Sequence, residues 1–310
     1  MSYALFTANS DMWEPYKEML ERAFHEAKLD ISLTRDASSP EKFEYIIFAP
    51  SGPVQDFTPF TNVKLIQSLW AGVEVAMKNK TLTQPLARMV DNGMSEGMSD
   101  YVLGHVMRYH LGMDAHISAP IRSWEQNAPC LARQRTVGFL GLGELGMFCA
   151  RAATRQGFNV LGWSRTQKRD EAVNCYAGQE GLQTVLEQSD ILILLMPDTP
   201  DTANIINAET IAKMKYGVKI INPGRGTLIN DADLIDALKS GHVAAATLDV
   251  FRTEPLPKDD PYWVHSNVLV TPHIASETRL KTAVPVVVDN IKRGEMGQPF
   301  LHLVDRSVGY

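Results

Sequence analysis

The chain is predicted to fold as two wound α/β units, each on its own parallel sheet. Three observations predict this. Short apolar runs alternate with helical stretches through the first third of the chain. A second alternation of the same kind starts at Thr136. The length, 310 residues, is long for a single hydrophobic core.

In the first series, Tyr3 to Thr7, Ile31 to Thr34, Tyr45 to Phe48 and Leu65 to Leu69 read as strands. Trp13 to Ala27 has helical spacing. A long helix is expected from about Ser95 to His116, with Ser95 as its N-cap and Gly104 as an interior weak point. A polar, proline-containing link, Ala119 to Gln134, leads to the second series. There the expected strands are Val137 to Leu140, Asn159 to Gly162, Ile191 to Leu195, Lys219 to Ile221, Ala244 to Leu248 and Val268 to Val270. One strand on each side of each helical segment is the pattern of a doubly wound sheet. The halves share no visible sequence similarity, and there is no short-period repeat or low-complexity stretch.

Bulk properties exclude several function classes. A hydrophobic share of 45% and a charged share of 21% are ordinary for a soluble globular protein. No apolar run approaches the roughly 20 residues of a membrane span, and the strongest, Ile191 to Met196, has the length of a buried strand. The start lacks a basic segment followed by a long apolar stretch, so no secretory signal is expected. Cys130, Cys149 and Cys175 are odd in number and form no CxxC pair, which fits a reducing cytoplasm. A net charge of −6 argues against nucleic acid as a partner. It leaves room for an anionic metabolite, because one arginine in a dry pocket outweighs the average surface.

Gly141-Leu142-Gly143-Glu144-Leu145-Gly146 is a G-x-G-x-x-G loop between a strand and a helix expected over Leu145 to Gln156. In such a loop Gly141 permits a tight turn, Gly143 lets backbone approach a pyrophosphate, and Gly146 allows close helix–strand packing. The helix start, at Glu144 and Leu145, presents free N–H groups and the positive end of its dipole to phosphates. Glycines also mark turns that hold no ligand; the strand–loop–helix–strand context favours nucleotide binding. An acidic residue about 20 positions on would bind an adenosine ribose 2′-hydroxyl. This chain has Ser164 there, followed by Arg165, Lys168 and Arg169. A serine and a guanidinium suit a 2′-phosphate, so NADPH is the preferred cofactor, with NADH the alternative. The competing reading is a solvated basic loop.

Three turns following strand-like runs each carry one ionisable side chain. They are Asn222-Pro223-Gly224-Arg225-Gly226, then Leu248-Asp249-Val250-Phe251-Arg252-Thr253-Glu254-Pro255, then Thr271-Pro272-His273-Ile274-Ala275. Ligands of parallel α/β sheets sit beyond the carboxyl ends of the strands. Arg225 could therefore bind a carboxylate in forked geometry, and His273 could donate a proton to a carbonyl as hydride arrives. A free histidine, with a pKa of about 6.5, is mostly neutral at pH 7. A carboxylate partner such as Glu254 favours the charged imidazole. Taken singly, each residue has a bland alternative, as a surface charge or a satisfied loop side chain. Together, after a dinucleotide loop, they are the parts needed to reduce a 2-keto acid.

These motifs, in this order and at these separations, resemble the D-isomer-specific 2-hydroxyacid dehydrogenases over essentially the whole chain. The resemblance implies a Rossmann NAD(P)-binding domain over residues 99–275. It implies a flavodoxin-like substrate domain over residues 1–98, completed by residues 276–310. It implies that Arg225 binds substrate, that Glu254 pairs with His273, and that His273 is the acid/base. Asp249 is then expected against the nicotinamide amide, with Pro197 in a loop lining the adenosine side and Asn222 and Gly224 also at the cofactor. Backbone N–H groups at Ala71 and Gly72 are expected to hold the substrate carboxylate. Within the family, Arg88-Met89-Val90, Gly93 to Met98, Trp163-Ser164-Arg165 and the ending Val304 to Tyr310 resemble the glyoxylate/hydroxypyruvate reductase A class.

One departure is Leu69-Trp70-Ala71-Gly72-Val73-Glu74, where many relatives have Gly-Ala-Gly-Val-Asp. Trp70 either narrows the substrate pocket or packs in the core. His105, His110 and His116 lie on one expected helix, but no acid or cysteine completes a metal-ligand spacing, so no metal is expected. Asp11, Met12, Trp13 and Trp124 read as packing or interface residues. The resemblance places Trp124 in a segment crossing to a partner subunit, so a homodimer is expected. The expected activity is NADPH-dependent reduction of glyoxylate or hydroxypyruvate. Alternatives are oxidation of a larger D-2-hydroxy acid or of phosphoglycerate, for which no basic cluster stands in the first domain. Formate oxidation is disfavoured because that relative pairs its histidine with glutamine. A non-catalytic, dinucleotide-sensing corepressor-like scaffold is a different class, disfavoured by the lack of disordered extensions.

Overall fold

The computed structural model describes residues 1–117, 124 and 126–306. Parts of the expected Ala119 to Gln134 link (residues 119–123 and 125), and the last four residues of the Val304 to Tyr310 ending, lie outside them. The chain divides into two compact units, one of residues 1–94 and 278–310, the other of residues 95–277.

The first elements along the chain are β1 (Ser2–Thr7), α1 (Trp13–Glu26), β2 (Ile31–Thr34), β3 (Tyr45–Phe48) and β4 (Leu65–Ser68). Then come α2 (Glu74–Lys78), β5 (Leu86–Ala87), α3 (Asn92–His110) and α4 (Met113–Ile117). The glycine-loop region holds β6 (Thr136–Leu140), α5 (Glu144–Arg155), β7 (Asn159–Trp163), β8 (Asn174–Tyr176), α6 (Gly178–Gln188) and β9 (Ile191–Leu194). The remainder is α7 (Ala208–Ala212), β10 (Val218–Asn222), α8 (Asp231–Ser240), β11 (Val243–Leu248), β12 (Val268–Val270) and α9 (Leu280–Glu295).

In the first unit five parallel strands take the order β2-β1-β3-β4-β5. That is the flavodoxin-like arrangement. Its core gathers Leu5, Phe43, Ile46, Phe48, Phe57 and Ile66. α9, from the far end of the chain, packs on α1 and β4. A buried amide pair anchors it. Asn290 is fully buried, and its Nδ2 donates to Gln67 Oε1 (2.6 Å) and Leu301 O (3.2 Å), while its Oδ1 accepts from Leu301 N–H (2.8 Å).

In the second unit seven parallel strands take the order β12-β11-β10-β9-β6-β7-β8. Counted from β6, this is the Rossmann order with a seventh strand added. Apolar clusters cover both faces, one around Leu192, Leu194, Ile220 and Leu248, the other around Phe139, Ile191, Ile193 and Ile221. Burial on both faces explains why Ile191 to Leu194 reads as an unbroken apolar run.

Several expectations are corrected. The helix expected from Ser95 to His116 is two: α3 ends at His110, and Gly112, at φ 65°, turns the chain before α4. Ser95 is not its N-cap. α3 starts three residues earlier, where Asp91 Oδ1 accepts the Met94 N–H at 2.9 Å. β5 and β8 are strands that periodicity missed, at two and three residues too short to show alternation. α5 starts at Glu144 rather than Leu145. Among the described residues no helix is long and apolar enough to cross a membrane.

Asn290→Ala should strand the buried Gln67 amide and the Leu301 N–H, costing about 1–3 kcal/mol for each group left unpaired. Urea unfolding of the full chain measures this, and an unchanged midpoint would show that the pair does not hold α9 and the tail.

Candidate active site

The three glycines of the loop after β6 answer to three different constraints. At Gly141, φ is 107°, and a Cβ would lie 2.5 Å from Leu195 O. At Gly146 a Cβ would lie 1.8 Å from Gly141 O, so the start of α5 can close on the loop only without a side chain. At Gly143 a Cβ would meet nothing within 4 Å. Gly143 therefore borders open space, and no side chain caps the α5 terminus there. An uncapped helix start beside an open glycine fits a pyrophosphate, held by N–H groups at Gly143, Glu144 and Leu145.

At the end of β7, Ser164 N–H donates to Tyr176 O (3.1 Å) and its hydroxyl to Thr166 O (2.8 Å). Arg165, Lys168 and Arg169 are exposed beyond it. The nearest acid, Asp170, is held by Arg151 through Nε (2.8 Å) and Nη2 (2.6 Å). That guanidinium and the backbone N–H of Ala172 hold its carboxyl below the usual range. The loop thus presents three cations with the nearer of its two carboxylates, Asp170, already paired, which suits a phosphate monoester. Pro197, after β9, is half-buried, and its carbonyl accepts the Thr202 hydroxyl at 2.6 Å.

Asn222 and Gly224 shape the turn that carries Arg225. Asn222, 1% exposed, donates through Nδ2 to Arg225 O (2.9 Å) and accepts at Oδ1 from Gly224 N–H (3.1 Å). A Cβ at Gly224 would lie 2.7 Å from Leu194 O, and one at Gly226 only 2.1 Å from Phe251 C. The backbone on either side of Arg225 is thereby wedged between neighbours. The half-exposed Arg225 side chain donates from Nη1 to Gly224 O at 2.7 Å.

Glu254 and His273 meet directly, with Nδ1 of His273 2.7 Å from Glu254 Oε2. The other carboxylate oxygen accepts the Phe251 N–H at 2.8 Å. Both Glu254 oxygens are thus engaged, and the imidazole has its Nδ1 side committed. His273 itself has φ 54°, in the left-handed region that L-residues rarely occupy.

Asp249, expected against a nicotinamide amide, is fully buried beneath this turn. Its Oδ1 accepts the Thr271 hydroxyl (2.6 Å) and the Ile274 N–H (2.9 Å), and its Oδ2 the Ala275 N–H (2.9 Å). Its carbonyl accepts the His273 N–H at 2.9 Å. Tyr101, on α3, extends the chain through a 2.7 Å bond to Thr271 Oγ1. Sequence reasoning missed Thr271 and Tyr101. The threonine stood inside a quoted motif, whereas nothing near Tyr101 in sequence marks it. Arg252, between Asp249 and Glu254, is also structural. It bonds to Asp231 (3.1 Å), Asn204 and the Ile229 carbonyl, tying the turn to α8.

In the first unit, Trp70 is 41% exposed, which overturns the core-packing reading. Its backbone is locked: N–H donates to Ser68 Oγ (3.0 Å), and its carbonyl accepts from Ser68 Oγ (3.0 Å) and Met89 N–H (3.0 Å). Ala71 and Gly72 follow, both half-buried. Thr278 Oγ1 donates to Leu69 O at 2.6 Å, tying this turn to the chain entering α9.

Comparison with known proteins places this geometry. Residues 103–275 match the model of the NAD binding domain of D-isomer specific 2-hydroxyacid dehydrogenases. A glyoxylate/hydroxypyruvate reductase A of Yersinia enterocolitica is 41% identical over 227 residues, covering 73% of this chain and 72% of that one. A D-isomer specific 2-hydroxyacid dehydrogenase of Xanthobacter autotrophicus Py2, solved with NADPH and MES, is 38% identical with a TM-score of 0.91, covering 100% of this chain and 99% of its own. An NADPH-dependent glyoxylate/hydroxypyruvate reductase of Sinorhizobium meliloti, solved with NADP and sulfate, is 30% identical with a TM-score of 0.86, each chain covered in full. With more than half its length matched by the family's own cofactor domain, the chain belongs to the D-isomer specific 2-hydroxyacid dehydrogenases.

Proposed function

We propose that this chain is an NADPH-dependent reductase of small 2-keto acids, glyoxylate and hydroxypyruvate, with His273 as the proton donor. The single observation that carries the chemistry is the 2.7 Å bond between His273 Nδ1 and Glu254 Oε2. Because that bond takes Nδ1, the ring nitrogen left for substrate is Nε2. A proton held at Nε2 passes to the keto oxygen while the carbonyl carbon accepts hydride. Glu254 stabilises the imidazolium before transfer and orients the ring throughout. The guanidinium of Arg225 binds the substrate carboxylate. When bound, the dinucleotide supplies the hydride; Gly143, Glu144 and Leu145 would hold its pyrophosphate, and Ser164, Arg165 and Lys168 its 2′-phosphate. The relatives named for NADPH and for these two keto acids support this reading.

In this reading residues 1–98 with 276–310 are the substrate domain and residues 99–275 the cofactor domain. Asp249 acts beneath the catalytic turn, because its carboxylate is already engaged. Trp70, exposed on a locked turn, selects small substrates. Three free cysteines agree with a reducing cytoplasm. The chain acts as a homodimer. Leu111, Met113, Ile117 and Trp124 are 39%, 40%, 76% and 93% exposed within one short stretch, a concentration of apolar surface that calls for a cover.

His273→Asn should lower kcat by about 10²–10⁴-fold while leaving NADPH affinity nearly intact. Initial rates and cofactor fluorescence titration measure the two; retained turnover would remove His273 from its role. Rates with NADPH and NADH against glyoxylate, hydroxypyruvate, pyruvate and phenylpyruvate should favour NADPH and the two small keto acids. Arg165→Ala should raise KM for NADPH by about tenfold with little effect on NADH, as expected for one charge-assisted contact. Equal use of both cofactors by the wild type would sink the assignment of Arg165. Ile117→Asp with Trp124→Asp should shift the chain from dimer to monomer in light scattering, and a wild-type monomer would refute the dimer.

A further inference from the structure

Beyond the catalytic turns, the second unit carries a cavity of about 250 Å³ with no assigned role. It is lined by Arg108, Tyr109, Asp114, Lys219, Ser266 and Asn267, among others. These lie at the amino-terminal ends of β10, β11 and β12 and at the end of α3. Arg225, Glu254 and His273 follow the carboxyl ends of the same three strands. The five residues of β10 put the two regions roughly 15 Å apart along the strand.

One buried donor without a partner belongs to the cavity lining, and two more orphaned atoms lie on His110 and Arg135, outside that lining. Arg108 Nη1 is buried with no hydrogen-bond partner, although its Nε is paired with Asp114. Arg135 Nε and His110 Nδ1 are buried and unpartnered too, and Arg135 acts electrostatically on both His110 and Lys219. Lys219 is half-buried, and among the described residues its ammonium forms no ion pair. Burial, with Arg135 adding to it, pushes its pKa down from the ordinary lysine value.

Asp114 is the one carboxylate lining the cavity. Asp190, whose charge acts on Lys219 more strongly than that of Asp114, is taken up by Lys215 Nζ (3.0 Å) and the Thr136 N–H (2.7 Å). Three cations, Arg108, Arg135 and Lys219, therefore share this end of the unit with one lining carboxylate, Asp114, which Arg108 Nε already takes up. Water can satisfy orphaned donors but cannot balance charge in a partly desolvated recess. An anion does both.

We propose that this cavity is a second ligand site, binding a small oxyanion, a phosphate or carboxylate group, between Arg108 and Lys219 with Ser266 and Asn267 as neutral partners. The volume lies below that of sites for drug-sized ligands, so it takes a single small anionic group. The site is separate from the glycine loop and from the turns of Arg225 and His273.

The test is thermal unfolding of the full chain, saturated with NADP⁺ to fill the cofactor loop. Inorganic phosphate or acetate is titrated against chloride at constant ionic strength. Wild type should show saturable stabilisation by phosphate, by acetate or by both, the stronger arm identifying the group bound. Lys219→Met should weaken the apparent affinity about tenfold or more, as expected for loss of one charge-assisted contact, and Arg165→Ala should leave it unchanged. Asn267→Ala, which removes no charge, should weaken it by a smaller factor, and it keeps the test decisive if Lys219→Met folds poorly in chloride alone. No saturable effect of either anion, or one that Lys219→Met and Asn267→Ala leave intact, would overturn the proposal. So would loss of the effect in Arg165→Ala alone.

Discussion

The turn that carries His273 depends on one buried carboxylate. Asp249 sits under the end of β12 with no solvent contact and accepts three hydrogen bonds from Thr271, Ile274 and Ala275. A buried carboxylate is tolerable only when it is so satisfied, and these donors flank the histidine on both sides. The energy of solvating that charge from within is what keeps His273 in a left-handed backbone conformation that costs of order 1 kcal/mol or more. Tyr101 bonds to the same threonine, so α3 belongs to the support of the catalytic turn.

The turn before it obeys the same logic with neutral groups. Asn222 uses both ends of its amide to close the loop around Arg225, and Gly224 and Gly226 let β9 and the Phe251 segment press against it. Glu254 is positioned by the Phe251 N–H before it meets His273. Each exposed, ionisable side chain is thus held by polar groups whose own bonding is local and complete. The reacting groups have little freedom to wander, which is what proton transfer over hydrogen-bond distance requires.

The first unit solves a related problem without charge. Its sheet ends at β5, two residues long, and the tail after α9 closes that edge through backbone bonds, Val304 N–H to Leu86 O (2.8 Å) and Arg88 N–H to His302 O (3.0 Å), while Asn290 joins the Leu301 backbone to Gln67 on β4. Gln67 directly precedes Ser68, whose hydroxyl fixes the backbone of Trp70. A chain segment more than 200 residues away in sequence thereby sets the turn that presents the tryptophan.

Much of this was legible in the sequence because it is local. The pairing of Glu254 with His273 followed from the resemblance of the motifs to the family, whereas the glycine loop, the strand-like runs before each turn and the absence of an acid at Ser164 are written in spacing and residue type. The ends of α3 and the strands β5 and β8 were not, since Asp91 capping, the Gly112 turn and two- or three-residue pairings leave no periodic signal. The hydrogen bonds of Asp249 were not legible, for a physical reason. Its position in the motif is the same whether its carboxylate faces a ligand or its own turn. Burial and the placement of Thr271, Ile274 and Ala275 show that the turn engages it. Sequence alone determined which chemistry the chain carries, because that depends on residue types near one another along the backbone. Tertiary structure alone decided which charges are spent on holding the site and which, as at the Arg108–Lys219 cavity, are left without full partners, because that depends on what distant segments bring to bear.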